Sequence, residues 1–230
     1  MSEGPVSIAA RPQPIVSTVG PVVVPRQHDL FPISTVAEFP DSLPTADAWG
    51  TVLGVDGHSY VAKLDKGGRG VRASEWMGTH IAESANVPCP TPKIVELQNG
   101  ELAFGSRRIA GAQEEAITAE ILTRGVSVPG LTASLSSVFA LDLFLNNVDR
   151  HDRNFLMVED RGALRMYTFD FGRCLFYHGR LEPFPSKSHQ TRLTATKLRR
   201  RHGFDLAAAN SVLDRIMGLN RPGFAGGDLV

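Results

Sequence analysis

The chain changes character near Gly111, and that change restricts its possible folds more than any other feature. Before it, short β-prone runs alternate with glycine-containing turns. In "WGTVLGVDGHSYVAKL" two such runs flank Asp56-Gly57, a dipeptide suited to the positive φ angles of a tight hairpin turn. Strands are therefore expected at about residues 50 to 55 and 59 to 64. "PKIVELQNGELAFGSRRI" predicts a second hairpin, turning at Asn99-Gly100. Between the two, Trp76, Met77, His80, Ile81 and Ser84 recur at helical spacing until prolines stop the pattern, which predicts a helix over about 71 to 85. Beyond Gly111, "AQEEAITAEILTRG" and "TASLSSVFALDLFLNN" are proline-free and helical in period. Leu131, Leu135, Val138, Leu141 and Leu145 line one side of the second of these helices. "NFLMVEDRGALRMYTFDFG" then reads as strand, turn, strand, and "DLAAANSVLDRIMGL" as a helical tail. The expected fold class is α+β, a small β-rich part followed by a mainly helical one.

Composition fits that division. A chain of 230 residues with 42% hydrophobic content can bury a full core as one domain or as two small lobes. Residues 1–30 contain five prolines, at 5, 12, 14, 21 and 25, and are expected to form an extended arm. Residues 31–110 then form the β-rich lobe and 111–230 the helical one, joined near 105 to 112. The formal net charge is zero, so any nucleic acid or anionic membrane must be met by a local patch. Cys89 and Cys174 have no paired spacing and no nearby His cluster, which points to free buried thiols in a reducing compartment. No stretch approaches the roughly 20 apolar residues of a membrane span, and a cytoplasmic location is expected.

"LNNVDRHDRNFLMV" sets five charged or titratable residues and an asparagine between apolar runs. If the hairpin from Phe155 to Phe169 forms, the chain runs out about 17 Å at roughly 3.3 Å per residue and returns, making Asn154 and Asp170 neighbours. Two oxygen ligands at adjacent strand ends suit a hard cation such as Mg²⁺, which completes its shell with water and phosphate oxygens. Asp149, five residues before Asn154, faces the same place. Phosphoryl transfer needs a base for the hydroxyl, ligands for Mg²⁺ and a cation on the ATP phosphates. Asp149 and Asn154 reproduce the D-x-x-x-x-N spacing of a kinase catalytic loop, and "FDFG" at 169 to 172 supplies a metal-binding Asp-Phe-Gly. Lys63 of "YVAKL" is the expected phosphate-binding lysine, with Glu75 on the next helix as its partner in preference to Glu83.

On these residues the chain resembles kinase-like phosphotransferases of the HipA-like group over roughly residues 45 to 175. The loop "DRHDRN" matches that group, and phosphatidylinositol kinases use a similar Asp-Arg-His loop. The resemblance implies a two-lobed protein-kinase-like fold with ATP and Mg²⁺ in the cleft. It implies Asp149 as catalytic base with His151 beside it, Lys63 and Glu75 on the nucleotide, and Asn154 and Asp170 on the metal. Phe104 to Arg108 fall where the adenine-binding hinge belongs, with Ser106 and Arg107 as its expected contacts. The implied acceptor is a Ser or Thr hydroxyl of a protein. A phosphoinositide or small-molecule hydroxyl is the alternative, and a non-catalytic nucleotide-binding module is the rival from another class.

The chain also departs from protein kinases. No G-x-G-x-x-G precedes Lys63, which leaves "PDSLPTADAWG" as a candidate phosphate cover, and no Ala-Pro-Glu follows the Asp-Phe-Gly. Residues 183 to 204 are basic throughout, including Lys187, Arg192, Lys197 and Arg199 to Arg201. A solvated face is the default reading of such a segment. A surface over 187–202 for an acidic peptide, RNA or anionic headgroup is the alternative. Asp142, inside an apolar helix, either anchors the loop or faces solvent.

Overall fold

The computed structural model describes residues 31–43, 47–178 and 189–219. The proline-rich segment 1–30 lies outside these residues. Five strands form a closed barrel: β1 (Ile33–Pro40), β2 (Gly50–Gly54), β3 (Ser59–Lys63), β4 (Pro92–Glu96) and β5 (Leu102–Arg107), in the order β1-β2-β3-β5-β4. Both expected hairpins are present. At the first turn Gly57 takes φ 78°, while the Asp56 carboxylate accepts hydrogen bonds from the His58 amide at 3.1 Å and the Tyr60 hydroxyl at 2.5 Å. Strand β1 is a further element. It closes the barrel by parallel pairing of Ile33 and Ser34 with Val95 and Glu96, and by antiparallel pairing with β2. Its residues are mostly exposed or half-buried, so its sequence carries no strong inside-outside alternation.

The helix α1 (Val71–Ser84) follows β3, and the chain then passes from β5 to α2 (Glu115–Arg124), α3 (Leu131–Leu145), the hairpin β6 (Phe155–Asp160) and β7 (Ala163–Thr168), then α4 (Gln190–His202) and α5 (Leu206–Leu219). Helix α3 buries the predicted stripe of Leu131, Leu135, Val138, Leu141 and Leu145 against Leu122, Met157, Phe171, Val212 and Ile216. Ala82, Ala85 and Val87 at the end of α1 join that same core. The barrel interior is a smaller cluster of Val52, Tyr60, Ala62, Val95, Leu97 and Ala103.

Two elements bury faces that their sequence patterns do not mark. The large residues of α1 do not mark its buried face. Val71, Ser74, Glu75, Gly78, Thr79 and Ala82 are buried, while Met77 is exposed. The reason is close approach, since a Cβ on Gly78 would stand 2.5 Å from the Cβ of Phe171. The helix therefore presents small residues where it touches its neighbour. The second is α4, which occupies most of a segment that reads as a basic surface. Its buried positions are Thr191, Thr194 and Leu198, too polar a set to show as an apolar period. Among the described residues no helix is long and apolar enough to cross a membrane.

Candidate active site

The hairpin β6–β7 brings the predicted pair together. Phe155 pairs with Thr168, the Phe169 amide donates to the Asn154 carbonyl at 3.2 Å, and Asn154 Nδ2 lies 3.1 Å from Asp170 Oδ2. Asp170 has φ 66°, a left-handed conformation that costs a residue with a Cβ about 1–2 kcal/mol and that recurs at functional sites. This backbone turn aims the carboxylate back toward the barrel. There Lys63 Nζ, at the end of β3, meets Asp170 Oδ1 at 2.8 Å and also donates to Glu75 Oε1. Glu75 Oε2 accepts the Phe171 amide at 3.1 Å, so one carboxylate holds both the lysine and the Asp-Phe-Gly backbone. Glu83 instead meets His80 at 3.2 Å.

The charges in this cluster support one another. Burial pushes the Lys63 ammonium toward neutrality, but Asp170 and Glu75 outweigh it and hold its pKa above the ordinary lysine value. Burial also opposes ionisation of Asp170, yet the adjacent Lys63 and then Arg150 keep that carboxyl well below the usual range. At Glu75 burial prevails over Lys63, and its carboxyl lies above the usual range.

The loop after α3 is held from beneath. Helix α3 ends at Asn146 in a left-handed cap, and the loop then passes over Asp142. Asp142 and Arg150 form a buried bidentate pair, with Nε and Nη2 each at 2.9 Å from a carboxylate oxygen. Arg150 Nη1 donates to the Phe169 carbonyl, and its guanidinium stands 5.0 Å from the Phe171 ring centroid and 5.7 Å from that of Phe155. Asp142 also accepts from Asn147 Nδ2 at 2.9 Å, which settles its role as an anchor. On top of the loop, Asn154 Oδ1 accepts the His151 amide at 3.0 Å, and His151 Nδ1 accepts the Arg153 amide at 3.3 Å, capping the short turn Asp152–Asn154. The His151 ring therefore has a local structural task. Asp149 is about one-third exposed, and its Oδ2 lies 3.1 Å from Arg173 Nη1.

Ser106 and Arg107 are not brought to this cluster. Ser106 pairs with Val61 and Pro92 inside the barrel, and the Arg107 guanidinium lies 3.1 Å from His58 Nδ1. The amides of Arg107 and Arg108 donate to the Thr91 and Ser59 carbonyls at 3.1 and 2.8 Å. The basic segment also has internal tasks. Lys197 meets Asp152 at 2.5 Å, and Arg201 and His202 contact the carbonyls of Thr123 and Leu122, while Arg199 and Arg200 are exposed. Residues 187 and 188 of that segment lie outside the described residues. A cavity of about 390 Å³ lies behind the loop, between α3 and α4, with Leu135, Phe139, Phe155 and Phe204 in its wall. It is separate from the Lys63 cluster.

Among the described residues no three His, Cys, Asp or Glu side chains gather as an all-protein metal site. One carboxylate and one amide are the oxygen set that suits Mg²⁺ completed by substrate phosphates. The Asn154 nitrogen faces Asp170, and its oxygen accepts the His151 amide.

The fold is kinase-like. A solved structure of the proinflammatory kinase CtkA from Helicobacter pylori matches this chain with a TM-score of 0.50 at 14% identity, covering 85% of this chain and 89% of that one. The likeness is one of fold. No protein-family model matches the chain, and no curated protein does.

Proposed function

We propose that this chain is an ATP- and Mg²⁺-dependent phosphotransferase that moves the γ-phosphoryl group to a hydroxyl, that of Ser or Thr in a protein. The barrel with α1 is the nucleotide lobe and the helical body is the catalytic one. The observation that carries the reading is the convergence, from distant parts of the chain, of Lys63, Glu75, Asp170 and Asn154, with Asp149 tied to Arg173 just beyond Asp170. A cytoplasmic setting, which supplies ATP and Mg²⁺, suits it.

In this reading Lys63 neutralises phosphate oxygens, and Glu75 keeps its ammonium in place. Asp170 and Asn154 hold Mg²⁺, which supplies charge neutralisation to the phosphates when bound. Asp149 accepts the proton of the attacking hydroxyl as the new O–P bond forms and the bond from the γ-phosphorus to the bridging oxygen breaks, leaving ADP. Arg150, pinned by Asp142, fixes the loop that carries Asp149.

The test is incubation with γ-labelled ATP and Mg²⁺, alone and with a cell lysate. Label is expected in protein. Label in lipid would replace the protein acceptor with a phosphoinositide, and label in neither, with ATP still bound, would mark a non-catalytic nucleotide module. Asp149→Asn should keep ATP binding and lower turnover by about 10² or more. Asp170→Ala should abolish Mg²⁺-dependent ATP binding by calorimetry, and unchanged binding would remove Asp170 from the metal.

A further inference from the structure

Arg173, the residue after Asp170-Phe171-Gly172, ties three parts of the molecule together. Its Nη1 meets Asp149 Oδ2 at 3.1 Å, and its Nε meets Asp47 Oδ2 at 3.0 Å. Asp47 belongs to the connection from β1 to β2, so it stands on the barrel side of the molecule. Asp149 belongs to the catalytic loop. The guanidinium also stands 5.9 Å from the ring centroid of Tyr177, a ring that carries the Arg69 guanidinium at 4.8 Å and whose hydroxyl accepts from Arg69. Only one-third of the Arg173 side chain is exposed.

A guanidinium presents its N–H groups in a fixed plane, and two carboxylates on two of its nitrogens fix that plane in space. With Oδ2 held by Arg173, the carboxylate of Asp149 cannot rotate freely, and the direction of Oδ1 is set. A general base works on a hydroxyl only from hydrogen-bond reach, and misplacement by an ångström costs up to about a hundredfold in rate. We infer that Arg173 is a positioning residue for Asp149, and that Asp47 acts on the reaction only through Arg173. The arrangement couples the orientation of the base to the docking of the barrel on the helical body. It also couples it to the Asp-Phe-Gly segment, because Arg173 follows the backbone that Glu75 holds. Electrostatics alone would be weak here, since the groups are partly exposed and screened. Geometry is the contribution.

This inference rests on the phosphotransferase reading, and its test separates the two. Turnover is measured as label transfer from γ-labelled MgATP, alone and with a cell lysate, for the wild type, Arg173→Ala, Asp47→Ala and the double variant, with ATP affinity by calorimetry and thermal melts as folding controls. Expected for Arg173→Ala is a loss of about ten- to a hundredfold in kcat with ATP affinity within twofold. Added guanidinium ion should restore part of that loss, and Arg173→Lys should restore less than the native arginine because it lacks the planar fork. Asp47→Ala should slow turnover less, and the double variant should be no slower than Arg173→Ala. Wild-type turnover in Arg173→Ala, losses that multiply in the double variant, or a parallel fall in ATP affinity would each overturn the assignment. Hydrogen exchange of residues 147–154 gives a readout independent of turnover, expected faster in both single variants, and unchanged exchange would refute the tie. A wild-type chain that turns over no MgATP sinks the phosphotransferase reading and the positioning role together, with the tie still decided by exchange.

Discussion

At the scale of single residues, the Asp142 and Arg150 pair decides whether the loop between α3 and β6 has a shape at all. Both side chains are almost fully buried, and Arg150 reaches from the end of α3 to the Phe169 carbonyl just before Asp170. Removing the acid leaves a buried guanidinium without its counter-charge. Asp142→Ala should therefore lower stability by about 3–5 kcal/mol, and Asp142→Asn, which keeps one acceptor, by less. Urea unfolding checks this, and an Ala variant as stable as the wild type would show that Arg150 finds compensation elsewhere. The proximity of Asn154 and Asp170 is legible in the sequence because a single local device, a hairpin with a short turn, sets their spacing. Asp142 is harder to read. An acid in an apolar helix carries no mark of which way it faces until its partner eight residues on folds back over it. Arg173 and Asp47 are invisible for the same reason at longer range, since they are 126 residues apart in sequence. Ser106 and Arg107 lie in the paired strand β5, and position along a strand does not tell which backbone groups already have partners.

At the scale of elements, α4 works as a buttress for the loop. Thr191 Oγ1 accepts the Arg150 amide at 2.8 Å and donates to the Asn147 carbonyl at 2.6 Å, so one hydroxyl closes the loop from its far side. Thr191→Val keeps the shape and removes both bonds. It should cost roughly 1–3 kcal/mol through the buried groups left unmade, and turnover should fall with it. The ion pair between Lys197 and Asp152 adds a pH-dependent tie. Burial raises the Asp152 carboxyl, but the hydrogen bond from Lys197 outweighs it, so its pKa lies below the ordinary value. A depressed acid contributes stability that is complete above the unfolded carboxylate pKa, near 3.9, and lost as pH falls through the folded value. The difference in urea midpoint between the wild type and Lys197→Met should therefore shrink between pH 6 and pH 3, and at high salt. A gap that stays constant with pH would remove this tie. None of this is readable beforehand, because α4 buries threonines, and a helix whose inner face is polar looks like a charged surface segment.

At the scale of the whole molecule, the sequence predicts the change from β-rich to helical parts, but not how the two are joined. The strand that closes the barrel has no apolar alternation, and α1, which belongs to the first part by order, buries its end in the core of the second. The join depends on close approach at Gly78, where the added Cβ of alanine would meet Phe171 Cβ at 2.5 Å, Phe171 Cγ at 2.9 Å and Cys174 Sγ at 3.3 Å. Cβ to Cβ contact cannot be relieved by turning the ring, so the helix or the Asp-Phe-Gly segment must move. Overpacking of this kind costs about 1–3 kcal/mol. The Phe171 amide is held by Glu75, one turn earlier on the same helix, so displacement also disturbs the alignment of Asp170 with Lys63. Gly78→Ala should accordingly lower the melting temperature and weaken MgATP binding together. Gly218→Ala is the matched control, because that glycine lies in α5 with nothing among the described residues within 4 Å of the added atom. It should gain about 0.5–1 kcal/mol from helix propensity and leave nucleotide binding unchanged. If Gly78→Ala loses stability but binds MgATP as the wild type does, the helix packs on Phe171 without setting the geometry of the site, and the link from the joint between the two cores to the chemistry is broken.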